Sequence, residues 1–203
     1  MQTKLEKLIS QYRELGIDKQ IDYDKFYLYS LITHSTAIEG STITELENQI
    51  MFDQGISLKG KSMAELNMNL DLKNAYENAV KLANTHADIS IDLLKDFSAL
   101  VMKNTGQEYK TALGAFSSAR GELRLLNVTT GIGGKSYMNY SKVPAKLSEF
   151  CVWLNKEREN YTHKSTIQLY EISFDAHYHL ATIHPTIAFL PAKLNLSIVI
   201  IIS

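Results

Sequence analysis

A chain of 203 residues, 45% hydrophobic and 21% charged, is long enough to bury a sizeable core and ordinary for a globular domain. A net charge of −1 excludes the basic field that draws nucleic acid, and the single cysteine, Cys151, excludes an internal disulfide framework and fits a reducing compartment. Charges at Lys4 and Glu6 argue against a leader peptide, and the longest apolar stretch, Ile198 to Ile202, is far short of the roughly 20 residues that span a bilayer, so a cytoplasmic protein without a membrane partner is expected.

Leu5, Leu8, Ile9, Tyr12 and Leu15 share one face at helical spacing, and Gly16 is placed to stop that helix. A second helix is predicted from about Tyr23 to Ile38, ending near Gly40. Thr44 with Glu47, and Ser62 with Glu65, have the spacing of capping boxes, in which a hydroxyl and a carboxylate satisfy each other's free backbone donors. The helix after Ser62 meets no breaker before Asp88, and another should start after Ser90 and stop before Gly106.

The texture then changes. Residues 122–128 and 135–140 read as extended arms around the glycine-rich stretch 129–134, which predicts a β-hairpin. Helix resumes near Lys142, with Pro144 tolerated in its first turn. The last long helix runs from about Thr166 to Ile183, its core face carrying Leu169, Ile172, Ala176, Leu180 and Ile183. Pro185 ends it by forcing the preceding residue out of helical conformation. Beyond, residues 187–203 carry one charge, Lys193, and close in a β-branched run, unusual for a chain end. There is no internal repeat.

Three features invite stronger readings and fail on geometry. Gly134-Lys135-Ser136 looks like the end of a phosphate-binding loop, but Thr129 stands where that motif needs glycine, and strand rather than helix is predicted to follow. His177, His179 and His184 suggest a metal cluster, yet residues two apart on a helix point to different sides, so no metal site is assigned. Cys151, between Phe150 and Trp153, reads as a buried structural thiol.

Two segments carry a family resemblance. Phe174 to Pro185, ending in Ile183-His184-Pro185, resembles the helix that enters the catalytic loop of the Fic (Fido) family, whose signature is HPFx[D/E]GNG[R/K]. Ser35-Thr36-Ala37-Ile38-Glu39-Gly40 matches the inhibitory motif [S/T]xxxE[G/N] of the class with an N-terminal inhibitory helix. Gly114-Ala115-Phe116, the hairpin and the Lys142-Val143-Pro144 run are similar to the family's flap and the helix after it. The resemblance implies a mainly α bundle around the helix ending at His184, with a small β-hairpin flap. It divides the chain into an N-terminal helical region at 1–60 with the inhibitory motif, a Fic-like core at 61–185 and a divergent tail at 186–203.

It also implies a chemistry: transfer of AMP from ATP, with Mg²⁺, to a Ser, Thr or Tyr hydroxyl of a target protein docked on the hairpin flap. His184 is then the base, since a neutral imidazole takes the proton as the hydroxyl attacks phosphorus. Ser35, Glu39 and Gly40 form the inhibitory element, and the family allows a homodimer. After Pro185 the chain departs from the pattern. Thr186 replaces phenylalanine, Ala188 the acidic metal ligand, Phe189-Leu190-Pro191 the Gly-Asn-Gly run, and Ala192 the basic residue that binds phosphate. Bulky side chains and a proline without an N–H cannot cradle phosphate, so no residues are assigned to cofactor binding. The expectation is a Fic-type adenylyltransferase restrained by Glu39, inactive as the chain stands, its tail a truncated or frame-disrupted continuation. The alternative is a catalytically dead Fic-fold scaffold or interaction module.

Overall fold

A computed structural model describes residues 4–20, 22–130, 133–159 and 161–187. Among them are seven α-helices: α1 Lys4–Glu14, α2 Tyr23–Ala37, α3 Glu45–Gln54, α4 Met63–Asn84, α5 Ile91–Val101, α6 Val143–Arg158 and α7 Thr166–Ile183. Two strands, β1 Glu108–Thr111 and β2 Gly114–Ser117, pair antiparallel between α5 and α6.

The helix starts follow local chemistry. Both expected capping boxes form: Thr44 and Glu47 open α3, Ser62 and Glu65 open α4. A further one, Ser165 with Gln168, opens α7. Asp22 accepts from the Lys25 N–H at 3.1 Å to start α2, and Ser90 caps α5 through the Leu93 N–H at 3.1 Å. Gly16 follows α1 at φ 65° and closes it through an N–H bond to the Arg13 carbonyl.

α5 joins two cores. Its Leu94 and Phe97 enter the larger one with Val143, Leu147, Phe150 and Leu154 of α6 and Ile172, Ala176, Leu180 and Ile183 of α7. Its other end, through Val101 and the following Met102, packs on Ile32 of α2 and on Leu72 and Ala75 of α4. Burial of such side chains is worth about 1.5–3 kcal/mol each. The predicted core face of α7 is therefore the buried one, apart from the partly buried Leu169. The opposite face carries Tyr170, Phe174 and Tyr178, each more than 60% exposed, so among the described residues α7 packs on one side rather than at the centre of a surrounding bundle.

The strand ladder lies earlier than the sequence suggested. Glu108–Thr111 and Gly114–Ser117 form it, with Tyr109 stacked on Phe116 at 5.0 Å between ring centroids. The predicted hairpin at 122–140 folds back on itself but carries one isolated bridge, Thr129 to Ser136, supported by Thr130 N–H to Lys135 O and Tyr137 N–H to Val128 O, both 3.0 Å. No helix follows Ser136 directly, in keeping with a turn rather than a phosphate-binding loop.

Candidate active site

α7 stops at a residue in the left-handed region. His184 has φ 49° and ψ 65°, and its N–H closes the helix on the Leu180 carbonyl at 2.8 Å. A non-glycine residue there costs about 1 kcal/mol or more and persists only where its surroundings hold it. Pro185 and Thr186 behind it are buried, and the Ser98 hydroxyl of α5 lies 2.9 Å from the Thr186 hydroxyl. The loop thus leaves α7 fastened to α5.

The holding group is Arg124, which the sequence reading missed. It is 1% exposed, yet its guanidinium meets only carbonyls among the described residues. Nε donates to His184 O at 2.7 Å and Nη1 to Leu126 O at 2.7 Å, while Nη2 reaches Met138 O and, at 3.3 Å, Ile183 O. The Arg124 backbone N–H adds a bond to Pro185 O at 3.1 Å. Carbonyls left without partners where a helix ends carry partial negative charge, and a buried cation satisfies both the bonds and the field.

The His184 ring stacks on Tyr137 with centroids 4.2 Å apart and planes 15° from parallel. Burial, with the Arg124 charge adding to it, pushes the imidazole pKa down to about 4. The ring is therefore neutral at pH 7. His179 points elsewhere and stacks on Trp153 of α6 at 5.0 Å, and among the described residues no three His, Cys, Asp or Glu side chains are grouped to hold a metal. Cys151 is buried, and burial pushes its thiol up to about 11.

Ser35, Glu39 and Gly40 form a second unit at the end of α2. Gly40 N–H bonds to Ala37 O and Ser41 N–H to Thr36 O, both 3.0 Å, with Gly40 at φ 91°. That is a Schellman closure, which places glycine at the left-handed position and Glu39 just before it. Ser35 and Glu39 are half-buried, and Glu39 Oε1 is shielded from solvent.

A buried polar network, also unseen in the sequence, fixes this turn. Asn69 of α4 accepts at Oδ1 from Thr36 at 2.9 Å and from Asn48 at 3.0 Å, and donates from Nδ2 to Ser41 Oγ at 3.1 Å and Glu65 O at 2.9 Å. Asn48 Nδ2 also donates to Thr33 at 2.8 Å. Just outside, Glu65 accepts from both the N–H and the hydroxyl of Thr42, which with the Ser62 bonds holds its carboxyl down at about 2. The two units meet α5 near its C-terminal end, about one turn apart: Ile32 of α2 at Val101 and Met102, and the His184–Thr186 loop at Ser98. Residues 188–193, where the sequence departs most from the family loop, lie outside the described residues.

No family model matches the chain. It is 27% identical over 164 residues to protein adenylyltransferase fic-1 of Caenorhabditis elegans and 30% identical over 159 residues to protein adenylyltransferase Fic of Drosophila yakuba. These alignments take in 80% and 77% of this chain, which spans 28% of the length of each relative. In three dimensions it is similar to a Fic-domain signalling protein of Bacteroides thetaiotaomicron, with a TM-score of 0.75 and 15% identity over 98% of this chain and 72% of that one. It also superposes on a fragment of Fic-1 from C. elegans, with a TM-score of 0.60 and 24% identity over 86% of this chain and 47% of that one. Named relatives and shared helical architecture thus agree, and the chain belongs to the Fic family.

Proposed function

We propose that this chain is a Fic-type protein adenylyltransferase unit in which His184 is the proton acceptor, Glu39 with Ser35 and Gly40 is the restraining element, and transfer is absent as the chain stands. The observation that carries the reading is the His184 turn, where a neutral, half-buried imidazole sits in a sparsely populated backbone conformation, at the residue that the motif resemblance makes the base. The unprotonated ring can accept a hydroxyl proton at pH 7, although near 4 it is a weak base, as befits a restrained state.

Glu39 supports the restraint. The Schellman turn at the end of α2 holds its half-buried carboxylate in a fixed place. The N-terminal region to residue 60 then acts as the regulatory part of the chain. A target protein would present its hydroxyl beside the 122–140 flap.

The donor set does not fit Mg²⁺ or the phosphates of ATP, the groups that the family implies. Residues 186–203 contain no Asp, Glu or Arg, and Pro191 has no N–H to offer. Losing one such preorganised donor costs about 10²–10³ in rate, and here the set is replaced. The test is repair. Ala188→Asp, Phe189→Gly, Leu190→Asn, Pro191→Gly and Ala192→Arg rebuild the loop, while Thr186 stays because phenylalanine would overpack its seat against Ser98. With Glu39→Gly added, labelled ATP should deposit AMP on protein hydroxyls, and His184→Ala should abolish the label. No label from a folded, repaired protein would overturn the reading.

The same missing donors favour a second reading, a Fic-fold scaffold that binds partners without transfer. Calorimetry separates the two: clear Mg·ATP binding by the unrepaired chain would contradict the scaffold.

A further inference from the structure

We propose that Arg124 is the positioning residue of this site: its guanidinium ties the carbonyls that end α7 to both arms of the flap and so fixes the seat of the His184 ring against Tyr137. The inference deepens the function proposed above, since it rests on His184 being the reacting imidazole.

The geometry is that of a clamp. Leu126 belongs to the outgoing arm of the flap, Met138 to the returning arm, and Ile183 and His184 to the end of α7. One planar group reaches all four carbonyls, and the Arg124 backbone N–H holds Pro185 as well. Tyr137, the ring on which His184 stacks, is the neighbour of Met138. The clamp therefore sets both sides of the stacked pair. Lysine cannot replace it, because three tetrahedral donors on a flexible stem do not match four acceptors spread around a plane. A buried cation is costly to desolvate, and an apolar side chain of equal volume often packs more stably, so fold stability alone does not account for arginine here.

The clamp also explains the His184 backbone. The left-handed turn directs the His184 carbonyl to Arg124 Nε and leaves the ring on Tyr137. Without the fork, the turn loses its strongest bond and has no reason to keep φ 49°.

The experiment follows the imidazole resonances by NMR from pH 4.5 to 8 in the wild type, Arg124→Lys and Arg124→Met, with His184→Gln assigning the His184 signal among the six histidines. Asn69→Ala serves as a destabilised variant remote from the clamp. The His184 midpoint should lie near 4 in the wild type and in Asn69→Ala, so its signal hardly moves there. In both Arg124 variants it should rise by a unit or more toward the ordinary histidine value, a tenfold gain in proton affinity. Should Arg124→Met fail to fold, Arg124→Lys decides alone. An unmoved midpoint in folded Arg124→Lys, or an equal shift in Asn69→Ala, would overturn the proposal. The titration uses no nucleotide, so failure of AMP transfer would strike the proposed function and leave this result standing.

Discussion

His184 links the proposed chemistry to stability through one proton. Its folded-state pKa, about 4, lies below the ordinary value of 6.5, so the unfolded chain binds the proton more tightly. Its contribution is intact above about 6.5 and lost as pH falls toward 4. Urea unfolding across that window should show stability dropping with acid, and His184→Gln should flatten this part of the profile. An unchanged slope in the variant would place the titrating group elsewhere. Cys151 gives a second expectation at this scale. A buried thiol pushed up to about 11 holds almost no thiolate at pH 7. A disulfide reagent should react with it only after denaturation, and fast labelling of native protein would contradict its place in the core.

At the level of elements, the turn bearing Glu39 is only as rigid as the network under it. Asn69→Ala leaves Thr36, Ser41 and Asn48 short of partners and should cost about 1–3 kcal/mol, read as a lower urea midpoint with unchanged slope. Gly121 has a similar place beneath the flap. At φ 65° a Cβ there would lie 1.9 Å from Lys95 O, so Gly121→Ala should cost about 2–4 kcal/mol by forcing the arm that carries Arg124 off α5. Helix starts were legible in the sequence because capping boxes have fixed spacing, as at Thr44–Glu47 and Ser62–Glu65, and the end of α7 because proline restricts its predecessor. The strand ladder was not. Its two-residue turn, Ala112-Leu113, lacks the usual turn residues, whereas the glycines at 131, 133 and 134 advertised the neighbouring loop. Arg124 was invisible because its acceptors are backbone carbonyls up to 60 residues away, which no side-chain pattern encodes. Asn48 and Asn69 looked like ordinary polar helix positions, since burial is a property of the packed α2–α3–α4 junction. The central place expected for α7 came from the family resemblance, whereas the face of α7 carrying Tyr170, Phe174 and Tyr178 is exposed.

Over the whole molecule, α5 is the shared support. Its C-terminal half packs on Ile32 of α2, the helix that leads to Glu39, and one turn earlier holds the loop that follows His184 through Ser98. Under the proposed function, that arrangement would give the N-terminal region a mechanical route to His184. No helix among the described residues is long and apolar enough to cross a membrane. The most direct test of restraint is the initial rate of AMP transfer in the loop-repaired chain, compared between the parent, Glu39→Gly, His184→Ala and the double variant. Glu39→Gly should raise the rate at least about tenfold when His184 is present and change nothing when it is absent, the signature of two residues acting on one step. Equal rates with and without Glu39, in a repaired chain that transfers AMP through His184, would contradict the account.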